Sequence, residues 1–181
     1  MKRLGAFFLD VVEVVVFAIG IFFFVYLLIM RPHKIKGQSM DPTFPDKEYL
    51  LTEKVSYYLK DPQRGDVVVF QPPVSESDEY IKRIIALPGE RVMLKNGKVY
   101  INGNQLKESY LADTVYTATE GYMPEDQEFA VPAEQYFVMG DNRPHSSDSR
   151  AWGPVVKSKI SGRAWVVYWP PKGVVPKINY Q

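Results

Sequence analysis

From Val14 to Met30 the chain reads VVVFAIGIFFFVYLLIM, without a single charge. As a helix this run spans roughly 25 Å, slightly less than the ~30 Å hydrocarbon core of a bilayer. Extension back to Phe7 supplies enough length and takes in Asp10 and Glu13. Both lie in the first turns, where a carboxylate costs less than at the midplane. A soluble core helix rarely lacks a polar face over such a length. A cleavable signal peptide ends in small residues. Here the run ends Leu28-Ile29-Met30-Arg31-Pro32. The segment therefore reads as an uncleaved single-span anchor over residues 1–30. Lys2 and Arg3 flank one side, and Arg31, Lys34 and Lys36 the other, so charge alone leaves the orientation tied.

Residues 31–181 read as one domain. Net charge is +1, and no long basic run suggests a nucleic-acid partner. No metal-spaced Cys/His set and no phosphate-cradling glycine loop is present. Cysteine is absent, which excludes a disulfide framework and thiol chemistry. Fourteen prolines cut the chain into short pieces, and valine and isoleucine dominate the apolar positions after residue 60. That mix predicts a mostly β, mixed antiparallel domain with many turns. Strands are expected in 65–73, 79–89, 135–142 and 162–171, with a hairpin over 91–103 turning at Asn96-Gly97, where both residues tolerate positive φ. Residues 49–59 suit a strand or a short helix equally. Residues 104–131 are polar and aperiodic, and read as an inserted loop.

Three polar features stand out. Ser39 sits in IKGQSMDPTF, a few residues past the apolar run; it is a turn residue or a nucleophile. Lys82 lies within EYIKRIIALPG, where alternation puts Tyr80, Lys82, Ile84 and Ala86 on one face and Ile81, Arg83 and Ile85 on the other. A lysine there is either a solvated edge residue or a desolvated amine, whose lowered pKa suits a general base. A serine hydroxyl needs such a base. A triad through His145 is the other option; His33 lies at the membrane edge. The third feature, GDNRPHSSDSR (140–150), is a solvated turn or a buried ionic brace built on Asp141, Asp148, Arg143 and Arg150.

Taken together, GQSMDPT, YIKRIIALPGE and GDNRPHSSDSR, with the strand RGDVVVF between the first two, resemble the ordered motifs of bacterial type I signal peptidases, the Gram-positive ones more than the larger Gram-negative ones. The resemblance runs from the anchor to about residue 169. It implies Ser39 as nucleophile and Lys82 as general base. It implies that the Ser146 hydroxyl orients Lys82, and that Asp148, Arg150 and Arg83 form an ionic brace with Asp141 close by. The Ser39 backbone N–H would be an oxyanion donor. Some members add a serine hydroxyl two positions before the nucleophile; here that position is Gly37, leaving a backbone group or water to substitute.

The resemblance also implies a membrane-bound serine endopeptidase, working without metal or organic cofactor, that cuts signal peptides from exported preproteins after small residues at P1 and P3. The amino terminus would be cytoplasmic and the catalytic domain outside the cell membrane, close to lipid. Neighbours of the two catalytic residues, Ile35, Met40, Phe44, Tyr80 and Ile81, are the expected substrate contacts, with the peptide bound extended. Three other readings are weighed: a catalytically inactive anchored binding module of the same fold, a Ser–Lys protease of the self-cleaving repressor kind, and an organellar relative. The anchor in place of a DNA-binding domain argues against the second.

Overall fold

The computed structural model describes residues 2–178 and 180. The chain divides into two compact units, Met1–Arg31 and Pro32–Gln181. The first is dominated by helix α1 (Lys2–Ile29). Its side chains from Phe7 to Phe24 are exposed, and over that stretch it is long and apolar enough to cross a membrane.

The second unit is mostly antiparallel β, as the sequence predicts. Its strands are β1 (Met30–Lys34, most of it in this unit), β2 (Tyr49–Glu53), β3 (Val67–Phe70), β4 (Tyr80–Ala86), β5 (Arg91–Lys95), β6 (Lys98–Ile101), β7 (Asn104–Gln105), β8 (Phe129–Ala130), β9 (Gln135–Met139), β10 (Val155–Val156), β11 (Ile160–Trp169) and β12 (Gly173–Val174). The larger sheet runs β1-β2-β11-β3-β4-β9-β10, with β12 also on β11; the smaller runs β7-β6-β5-β8.

Local sequence explains most of these elements. All four side chains of β3 are buried, and the strand stops before Gln71-Pro72-Pro73. Each such apolar burial contributes roughly 1.5–3 kcal/mol. Asn96 and Gly97 take φ of 49° and 71°, and the β5–β6 hairpin closes on them with Leu94 opposite Val99. The ambiguous stretch 49–59 holds both candidates: β2, then the short helix α2 (Ser56–Leu59). Asp148 caps another short helix, α3 (Ser149–Trp152), by accepting from the Arg150 N–H. That helix lies inside the cluster the sequence reads as turn or brace.

Strand β4 lies between β3 and β9 and borders three apolar clusters. Ile81 packs with Ile35, Met40, Phe44 and Val67. Tyr80 and Ile84 pack with Val68, Phe70 and Val138. Ile85 and Ala86 both join Val92, Leu94 and Phe137. The expected alternation therefore fails at its end. The β4–β9 register shifts between Ile84 and Ala86, and the irregularity brings Ala86 into the cluster of Ile85.

Candidate active site

The turn carrying Ser39 is pinned from both sides. Met40 and Phe44 drop into the core beneath it, at 1% and 2% exposure, and Phe44 N–H donates to the Met40 carbonyl at 2.9 Å. From above, the Asn142 N–H donates to the Ser39 carbonyl at 3.0 Å, and Asn142 Nδ2 to the Gln38 carbonyl at 2.9 Å. Gly37 turns the chain with φ of 88°, and its N–H donates to Asp46 Oδ1 at 2.9 Å. Ser39 is left half-buried, and among the described residues its own N–H has no acceptor.

Lys82 is 4% exposed. Its Nζ donates to Ser39 Oγ at 2.7 Å and to the Ile81 carbonyl at 3.0 Å, with the Tyr80 ring 5.3 Å away. Burial pushes the amine down from the ordinary lysine value of 10.5 to about 8, against the pull of the Asp148 and Asp141 carboxylates and with a smaller push from Arg150. An amine of that basicity at this distance can take the hydroxyl's proton when neutral.

The third motif stands behind this pair. At Gly140 a Cβ would overlap the Ser146 hydroxyl, the Ser146 Cβ and the Ser39 carbonyl, so only glycine fits. Ser146 differs from the expectation. Its Oγ is buried and, among the described residues, makes no hydrogen bond, so it does not hold Lys82 here; the Ile81 carbonyl and Ser39 occupy that amine instead.

The ionic brace also differs. It is two separate buried pairs. Arg83 Nε and Nη2 reach Asp141 Oδ1 and Oδ2 at 2.8 and 2.6 Å. Arg150 Nε and Nη2 reach Asp148 Oδ1 and Oδ2, both at 2.8 Å. Strand register is the reason: Arg83 stands opposite Met139, so Asp141, just past the end of β9, is within its reach. Arg143 is a third buried arginine. It donates through Nε to the Gly140 carbonyl at 3.1 Å and pairs with Glu108.

A cleft of about 640 Å³ opens over Ser39 and Lys82. Ile35, Tyr80 and Ile81 line it. Met40 and Phe44 do not, because the turn uses them as its apolar footing. The exposed His145 also lines the cleft, but among the described residues its ring makes no hydrogen bond. The ring of His33 is engaged by Thr52 and Glu79.

Within an antiparallel β domain, a hydroxyl against a buried amine has the chemistry of nucleophilic catalysis. The family described as "Signal peptidase, peptidase S26" matches residues 8–169, and the chain belongs to it. A probable signal peptidase I-2 of Synechocystis is 42% identical over 173 residues, which is 93% of this chain and 72% of that protein. The signal peptidase I of Bacillus amyloliquefaciens is 36% identical over 170 residues, 90% of this chain and 88% of that one. A crystal structure of a signal peptidase I from Enterococcus faecalis is 34% identical and covers 57% of this chain and 97% of its own, with a TM-score of 0.46. The assignment rests on the sequence matches. It makes the chain a hydrolase and supports signal-peptide removal as its activity.

Proposed function

We propose that this peptidase removes signal peptides through a Ser39–Lys82 dyad while anchored in the membrane by α1. One observation carries the reading: the Nζ of a buried lysine lies 2.7 Å from the hydroxyl of Ser39. Neutral Lys82 takes the proton of Ser39, and Oγ attacks the scissile carbonyl. The oxyanion that forms is met by the unpaired Ser39 N–H. The lysine then returns its proton to the leaving amine, and water releases the acyl group. Arg83–Asp141 ties the β4 strand to the 140–150 segment, and Arg150–Asp148 braces that segment from within.

The substrate is an exported preprotein, bound extended in the cleft with small P1 and P3 side chains toward Ile35, Tyr80 and Ile81. Residues 1–30 form a cytoplasmic tip and anchor, and residues 31–181 the extracytoplasmic catalytic domain. Placing Ser39 soon after the anchor suits a substrate held in the same bilayer, since confinement raises effective concentration. The test is cleavage of one preprotein by the wild-type chain and by Ser39→Ala. Loss of activity on the order of 10³-fold or more is expected. Ser39→Ala turning over near the wild-type rate sinks the mechanism.

A further inference from the structure

The polar segment between β7 and β8 is more than a surface insertion. It sends three side chains into the base of the site. Glu108 pairs with Arg143 through both guanidinium nitrogens, Nη1 at 3.2 Å to Oε2 and Nη2 to Oε1. Thr117, itself buried, accepts from Arg143 Nη1 at 2.7 Å. Tyr110 touches two arginines at once. Its hydroxyl accepts from Arg143 Nη2 at 3.2 Å and donates to Glu108 at 2.7 Å, while its ring lies 4.2 Å from the Arg83 guanidinium.

These two arginines lead straight to the reacting groups. Arg83 follows Lys82 on β4. Arg143 holds the Gly140 carbonyl, and Gly140 abuts both Ser146 and the Ser39 carbonyl. A buried guanidinium left without its counter-charge shifts or draws in water. Among the described residues, Glu108 is the one carboxylate within ion-pair distance of Arg143. Close-packed interiors transmit such shifts.

We propose that Glu108 and Tyr110 are positioning residues for the reaction: they fix Arg143 and Arg83, and through them the Gly140 turn and the Lys82 strand. The inference rests on the Ser39–Lys82 reading. The segment has other footholds, since Leu106 packs on the core, Met123 is buried in it, and the Thr117 N–H donates to the Gly97 carbonyl at 3.0 Å. Losing Glu108 or Tyr110 therefore leaves the fold standing and changes the alignment.

The experiment uses the full chain in detergent, with one preprotein substrate and melting curves for every variant. Glu108→Gln and Tyr110→Leu should lower kcat about tenfold to a hundredfold, with KM within about twofold. Tyr110→Phe, which keeps the ring over Arg83, should recover most of what Tyr110→Leu loses. Wild-type kcat in Glu108→Gln overturns the proposal, and so does a rise in KM alone. If Tyr110→Leu does not fold, Glu108→Gln, which preserves shape, decides. Ser39→Ala is run alongside. An active Ser39→Ala removes the dyad reading; an inactive Ser39→Ala beside a wild-type Glu108→Gln removes this inference only.

Discussion

Lys82 and Ser39 stand 43 positions apart in the chain and 2.7 Å apart in the fold. The amine's pKa of about 8 makes the contact sensitive to pH. Only the neutral amine accepts a proton, so kcat/KM should rise through pH about 8 and level off above it. Stability moves the same way. Between about 8 and the ordinary 10.5 the unfolded chain holds a proton at Lys82 that the folded chain has released, so stability rises with pH across that window. Below it, that contribution is gone. Lys82→Arg should be inactive from pH ~6 to ~10, because a guanidinium does not deprotonate there. Activity within a few-fold of wild type would make another group the base, with His145 the first to examine.

Gly140→Ala should be damaging although it adds one methyl. The new Cβ would sit 2.6 Å from the Ser146 Cβ and against the Ser39 carbonyl. Overpacking of this kind costs about 1–3 kcal/mol. On the Ser39–Lys82 reading, activity should fall further than stability, since the displaced groups flank Ser39. Melting curves and initial rates on the same preparation measure the two effects.

Asp141→Asn leaves Arg83 buried without its carboxylate. Breaking one side of a buried pair costs about 3–5 kcal/mol. Urea denaturation should report a fall of that order, and a midpoint unchanged from wild type would show that water reaches Arg83 freely.

Gly37→Ser tests strain against space. A Cβ there meets nothing within 4 Å, yet φ is 88°. The variant should lose about 1–3 kcal/mol for backbone reasons alone, and Gly37→Ala should lose as much. A thermal melt of both separates backbone strain from any effect of the hydroxyl.

Removing residues 1–30 should leave a domain that cleaves short peptides but handles full preproteins less well. Ser39, Lys82 and the 140–150 segment all lie in the second unit. Rates on both substrates, with and without lipid, check this; equal rates everywhere would contradict surface confinement.

How far the sequence could be read depended on the distance between partners. Asn96-Gly97 and Pro72-Pro73 act through their own backbones, so hairpin and strand end were visible. Ser39 and Lys82 were found by residue type and motif order. The partner of Arg83 was not legible, because only the β4–β9 register brings Asp141 to it. The core role of Met40 and Phe44 was hidden for the same reason: nearness in sequence to Ser39 looks alike whether a side chain points to cleft or core. Arg143 was read as part of the brace without its partner, and Glu108 and Tyr110 sat in a stretch without periodicity. Each acts through contacts more than 30 positions away.

The grip of Asn142 on the Gln38 and Ser39 carbonyls bears on how the chain is born. A ribosome makes Ser39 and Lys82 long before Asn142, Ser146 and Asp148. Until those late residues emerge, the serine turn lacks its upper clamp and β4 lacks its β9 neighbour. On the Ser39–Lys82 reading, a partly made chain is inactive until the 140–150 segment has joined the fold.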